Sequence, residues 1–268
     1  MNRAAFYAEL RKRNSGLFGT SLSQRQVDGI EGLLDAFAEV GDGKADTLGY
    51  GLGTVYHETG RRMVPVREGF AKSDAVARKA VQKLAARRGP NSNVAKYAQP
   101  QPPYGHVYYG RGHVQLTWID NYRTSSKDAS IDLVKHPDAM LDPKISARVL
   151  FRGLLDGRWN GRRKGLRYYL DRGDWIGARR TVNVQDRAAE IAEYGKDFLR
   201  AIEAAGGWKQ DGFVRPDAEP PAQPRNVALD KPVSPPRGQK PGVRGGIAAA
   251  LAAVIAAIVA FAKSKGWF

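Results

Sequence analysis

Residues 57–70 read HETGRRMVPVREGF and carry two carboxyl side chains ten positions apart, Glu58 and Glu68. Glu58 closes an apolar stretch containing Leu48, Leu52 and Val55, so its carboxyl is expected to lie partly out of water, a setting suited to a proton donor. One continuous helix through both residues would separate them by about 15 Å of rise. Pro65 forbids that helix, because its ring clashes with the preceding turn. A reversal within residues 60–66 would instead let the carboxyls stand about 6.5–9.5 Å apart, the separation at which an inverting glycosidase holds a water between acid and base. Asp74 is a substitute for Glu68 as the base. The bland alternative for each is a surface ion pair, Glu58 with Arg61 or Arg62 and Glu68 with Arg67 or Lys72.

Residues 108–122 read YYGRGHVQLTWIDNY. Glycines on both sides of Arg111 predict a tight, exposed turn. Gln115, Thr117 and Asn121 supply neutral donors and acceptors beside the rings of Tyr108, Tyr109 and Trp118. Sugars are bound by such sets, aromatic faces meeting ring CH groups and amides or hydroxyls meeting ring substituents. His57 beside Glu58 suggests a zinc helix, but HExxH requires a second histidine where Arg61 stands, so no metal is expected. Gly49, Gly51 and Gly53 do not fit a phosphate loop and are read as points of close approach between helices.

In combination, the HET at His57 and the YYGRGxxQLTWxxNY at Tyr108 resemble glycoside hydrolase family 19, the chitinase-like branch of the lysozyme-like superfamily, and within it the phage endolysins. The resemblance spans roughly residues 20–205. It implies that Glu58 is the general acid and Glu68 the general base, that Thr117 helps hold the attacking water, and that Gln115 and Asn121 bind substrate. Tyr109, Arg111 and Trp118 join them as expected substrate contacts. Asn183 resembles a late asparagine site of the family, although Val184 stands where glycine is usual. Plant chitinases carry disulfides and a longer acid-to-base spacing; this chain has no cysteine and a shorter spacing, which favours peptidoglycan over chitin. The implied activity is inverting hydrolysis of β-1,4 bonds between amino sugars of peptidoglycan during host lysis, without a cofactor. The alternatives are a chitinase acting on chitin oligomers and a non-catalytic wall-binding relic.

The elements that must position these residues are mainly helical. Ser23 with Gln26 forms a capping-box pattern ahead of Val27, Ile30, Leu33, Leu34 and Phe37. Ser73 opens a helix with Val76, Ala80, Val81 and Leu84 on one face, stopped by Gly89-Pro90. Asp142-Pro143 opens another, and a last one runs from Asp186 to Gly206-Gly207. Strands are expected only at 106–109 and 113–116, and no βαβ alternation occurs. The fold class is therefore mainly α: a lysozyme-like, two-lobed helical domain with a small β element. Trp159, Trp175 and Trp208 are expected to pack in the core.

The chain has 268 residues and a formal net charge of +16, which attracts nucleic acid, anionic lipid or an acidic wall polymer. No recognised DNA- or RNA-binding motif accompanies the charge, so nucleic acid is not an expected partner. Eight of the 15 prolines fall within residues 216–241, so 1–212 read as the hydrolase domain and 213–244 as a basic, Pro-rich linker. Residues 245–268 read as a hydrophobic helix: the uncharged run 247–262 would rise roughly 24 Å as a helix against a hydrocarbon core of about 30 Å, short enough that flanking Lys263 and Lys265 must reach the headgroups. Membrane association is expected there. The charged start of the chain does not read as an export signal, placing the protein in the host cytoplasm or at its inner membrane before it acts on the wall.

Overall fold

The computed structural model describes residues 1–161, 164–182 and 186–209. The Pro-rich linker and the apolar C-terminal run lie outside these residues. Among the described residues no helix is long and apolar enough to cross a membrane.

Local capping starts three helices where the sequence predicts them. At α2 (Gln24–Val40) the Ser23 side chain accepts from the Gln26 N–H while the Gln26 side chain accepts from the Ser23 N–H, the reciprocal box. Ser73 accepts from the Val76 N–H at α4 (Asp74–Arg88), and Asp142 accepts from the Lys144 and Ile145 N–H groups at α7 (Pro143–Asp156). The other helices are α1 (Arg3–Leu10), α3 (Ala45–Glu58), α5 (Asn93–Tyr97), α6 (Ile119–Ala129), α8 (Leu166–Leu170) and α9 (Ala188–Ala204). Asp186 does not cap α9; Arg187, in the left-handed region, precedes its first residue.

Two apolar cores divide the molecule. The larger joins α1, α2, α3, α6, α7, α8 and α9, with Phe37 set edge-on against Phe151 across α2 and α7. The smaller lies under α4 and α5 and takes in Val107 and Tyr109. The two lobes meet along residues 107–110, where the alternation of an extended chain sends Tyr108 into the large core and Tyr109 into the small one. Trp159, Trp175 and Trp208 pack against the large core as expected.

The glycines of α3 are packing points. A Cβ on Gly53 would stand 2.5 Å from the Gly195 nitrogen of α9, and one on Gly49 2.8 Å from the Gly195 carbonyl oxygen. Bare backbone on both helices brings α3 and α9 into contact, which fixes the end of α3 relative to the rest of the large lobe.

Two expectations are corrected. On α4 the buried residues are Ala77, Val81 and Ala85, whereas Val76 is exposed, so the inward face is turned by one position from the predicted one. The sheet is also placed differently: β1 (Val66–Arg67) pairs antiparallel with β2 (Arg111–Gly112), in the register Val66 to Gly112 and Arg67 to Arg111. Residues 106–109 and 113–116 form no ladder of their own; they take part only through single bridges, Gln101 to His106 and Arg111 to Leu116.

Candidate active site

Glu58 is the last residue of α3. Immediately after it the Thr59 hydroxyl donates to the Val55 carbonyl at 2.7 Å and accepts from the Met63 N–H at 3.0 Å, and Gly60, Arg61 and Met63 all take positive φ. This knot ends the helix before Pro65 and turns the chain toward β1. The β1–β2 pairing then delivers Glu68 to Gly110, the residue before β2.

Glu58 lies within the large lobe, and its carboxylate is paired with Arg179 at 2.8 Å, the two side chains 5% and 2% exposed. Arg179 stands in the short helix Gly177–Thr181, and its Nε donates to the Asp186 carbonyl at 3.2 Å. The partner is neither Arg61 nor Arg62. Around this pair three buried polar atoms have no hydrogen-bond partner among the described residues: Tyr50 OH, His57 Nε2 and Arg179 Nη1. Burial lowers the basicity of His57 against the opposing pull of Glu58, so the ring is a neutral neighbour of the acid at neutral pH. Burial also raises the Tyr50 hydroxyl pKa, and it stays protonated.

Glu68 is held by different groups. Its Oε1 accepts from the Tyr97 hydroxyl at 2.8 Å and its Oε2 from the Gly110 N–H at 2.8 Å. Burial pushes the Glu68 carboxyl above the usual glutamate range, while Gly110, Tyr97 and the Arg111 charge pull it back. Tyr97 is itself pushed up by burial and therefore remains a donor. No ion pair joins Glu68 to Arg67 or Lys72; Arg67 binds Asp138 at 2.7 Å instead.

The residues around Gly110 form one connected set. Arg111 is 1% exposed: its Nε donates to Asp138 at 2.7 Å, its Nη2 to Asp74 at 3.1 Å, and its Nη1 to the Tyr122 hydroxyl and the Val107 carbonyl, both at 3.1 Å. Its guanidinium also lies 3.6 Å from the Tyr109 ring centre, and the Tyr109 hydroxyl donates to Asp74 at 2.8 Å. The expected exposed turn is thus corrected: Arg111 and Tyr109 are both buried, because Asp74 and Asp138 close over the guanidinium from two sides. Asp74 is fully engaged by Tyr109, Arg111 and Arg78.

The remaining predicted residues are half-buried. Gln115 takes positive φ, and its Nε2 donates to the carbonyls of Val66 and Gly112, stapling β1 to the turn. Thr117 donates to the Gln115 carbonyl and Asn121 to the Thr117 carbonyl. Trp118 stands edge-on to Tyr97, with ring centres 5.4 Å apart, and so buttresses the donor to Glu68. Asn183 lies outside the described residues. Among those described, no set of three or more His, Asp or Glu side chains is placed to hold a metal ion.

Sequence reasoning missed Arg179, Tyr97 and Asp138. Arg179 and Asp138 partner charged groups far away in the chain, and Tyr97 lies outside both motifs.

No protein-family model matches the chain. Over 64 residues, 22% of this chain and 20% of the relative, it is 41% identical to Endochitinase 1 of Theobroma cacao. Over 58 residues, 20% of this chain and 18% of the relative, it is 33% identical to the Inactive chitinase-like protein 1 of Hevea brasiliensis. The chain spans about a fifth of the length of the curated relatives it matches. Among solved structures, chitinase C from Streptomyces griseus HUT6037 superimposes with a TM-score of 0.44 at 18% identity, over 76% of each chain.

Proposed function

We propose, from the premise that the chain is a chitinase-like protein of glycoside hydrolase family 19, that it hydrolyses β-1,4 bonds between amino sugars with inversion, and that its substrate is bacterial peptidoglycan. Glu58 protonates the glycosidic oxygen, Glu68 takes the proton of an attacking water, and Thr117 helps to hold that water. Gln115, Trp118, Asn121 and Asn183 contact the sugar. The observation that carries the reading is that the two acids are held in opposite ways. Glu68 accepts at both oxygens, as an ionised base does, and its burial makes it a stronger base than a solvated glutamate. Glu58 is out of water beside one guanidinium and a set of unsatisfied polar atoms.

Peptidoglycan is favoured over chitin by the basic surface of the chain, since wall glycan carries acidic peptides and chitin does not. The tail 245–268 anchors the enzyme at a membrane through residues 247–262, and the setting is host lysis. A non-catalytic wall-binding relic is the second reading, favoured by the match to an inactive chitinase-like relative.

The test is digestion of purified sacculi with analysis of released muropeptides by mass spectrometry, beside digestion of chitin oligomers. New reducing ends from sacculi, abolished by Glu58→Gln in a folded protein, are the expected result. Cleavage of chitin alone transfers the activity to chitin, and no cleavage of either supports the relic. The acid is identified by leaving group: Glu58→Gln retains cleavage of an aryl glycoside whose leaving group needs no proton, whereas Glu68→Gln does not.

A further inference from the structure

The outer face of α4 has a charge pattern that the chemistry around Glu58 and Glu68 does not use. Ala77, Val81 and Ala85 face the small core. Lys79, Lys83 and Arg87 follow each of them by two positions, about 200° around the helix, and all three are exposed. Successive charges on that stripe are about 6 Å apart along the axis. The single acid of α4, Asp74, is engaged by Arg78, Arg111 and Tyr109, and among the described residues no ion pair joins Lys79, Lys83 or Arg87 to a carboxylate. Three like charges on one helix face repel one another, and this row has no internal compensation.

We propose that this face is a docking surface for the carboxylate-bearing peptides of the wall polymer, so that the small lobe holds by charge the strand whose glycan is cut at Glu58 and Glu68. The proposal rests on the peptidoglycan reading above. Charge complementarity carries it, together with what the stripe lacks. Membrane-surface helices place aromatic or large aliphatic side chains opposite their cations, and single-stranded nucleic acid is held by aromatic platforms. The outward positions between the cations are Ala80, Gln82 and Ala86, and Val76, at the first turn, is the one large apolar side chain exposed on this helix. The stripe is also rigidly tied to the site. α4 packs against the turn Glu68–Phe70, and Asp74 at its first residue binds Arg111 beside Gly110. A strand held along α4 is therefore held in fixed register with Glu68.

The experiment uses the full chain with Glu58→Gln, so that binding is read without cleavage, and adds Lys79→Gln, Lys83→Gln and Arg87→Gln together. These are exposed helix positions where glutamine keeps helix propensity. Binding to purified sacculi should weaken about tenfold at low salt, and the difference should vanish at about 1 M salt, where the Debye length falls to about 3 Å. Sacculi whose carboxylates are converted to amides by carbodiimide coupling should bind both forms alike, and the triple substitution in the otherwise native chain should leave cleavage of uncharged chitin oligomers unchanged. Unchanged binding to intact sacculi, or an equal loss on the amidated sacculi, overturns the proposal. Tighter binding to duplex DNA or anionic vesicles than to sacculi, lost with the same substitutions, also overturns it in favour of those partners. If the native chain releases no reducing ends from sacculi while the charge-dependent binding persists, the activity reading falls and the docking surface stands.

Discussion

Glu68 and Gly110 are bonded to each other twice: the Glu68 N–H donates to the Gly110 carbonyl at 2.7 Å, and the Gly110 N–H donates to the Glu68 carboxyl at 2.8 Å. Backbone and side chain of one residue thus grip both polar groups of the other. The β1–β2 pairing sets this register, so the position of the proposed base follows from two strands of two residues each.

Burial and ionisation conflict at Glu68, and the sign of the effect on stability can be worked out. Its carboxyl is raised by desolvation above the unfolded value of about 4.3. Between the unfolded and folded values the native state keeps a proton that the unfolded chain has released, so stability from this group falls as pH rises through that window. Glu68→Gln removes the ionisation while keeping an acceptor for Gly110 and an N–H that Tyr97 can accept. The variant should gain thermal stability over the parent at pH 7, with a smaller gain at pH 4, and lose hydrolysis. An equal shift in melting temperature at both pH values would contradict this assignment.

Tyr97→Phe keeps the ring against Trp118 and deletes one of the two donors to Glu68. Because that donor pulls the carboxyl down, its loss should move the acidic limb of the pH profile of kcat/KM to higher pH. A profile that drops without shifting would mean Tyr97 is structural only.

Arg111 spans both lobes through Asp74 and Asp138, with Tyr122 between. Arg111→Met should cost about 3 kcal/mol in denaturant unfolding, the low end for breaking a buried ion network because both carboxylates are half-exposed. A loss below about 1 kcal/mol would place the Arg111 pairs among ordinary surface salt bridges.

Gly53→Ala drives a methyl into the backbone of α9 and should destabilise by about 1–3 kcal/mol, shifting the end of α3 and lowering activity. Gly32, in α2, is the control: nothing lies within 4 Å of its Cβ position, and Gly32→Ala should stabilise by up to about 1 kcal/mol. Differential scanning calorimetry should give the two variants opposite signs.

The parts of the molecule legible in the sequence are those decided within a few residues. Ser23, Ser73 and Asp142 announce their helices because a cap bonds three positions ahead. The glycines of α3 could be recognised as contact points, although Gly195 could not be named as what they contact. The strands are not legible in the sequence because Gly112 pairs with Val66, and a two-residue strand has no periodicity to read. The sequence predicts an exposed Arg111 because a guanidinium is normally solvated; the carboxylates of Asp74 and Asp138, 37 and 27 positions away, offset its charge and make its burial tolerable. Glu58 and Glu68 were visible as a pair, but Arg179 and Tyr97, which hold them, carried no motif.

In the proposed reaction one water, activated by Glu68, attacks the sugar from the face opposite the leaving group. Proton NMR of the anomeric signals, recorded in the first moments of cleavage of a β-linked amino-sugar oligomer, tests it directly. The α anomer should appear first and then equilibrate; a β anomer appearing first would mean retention and would exclude direct attack by a water activated at Glu68.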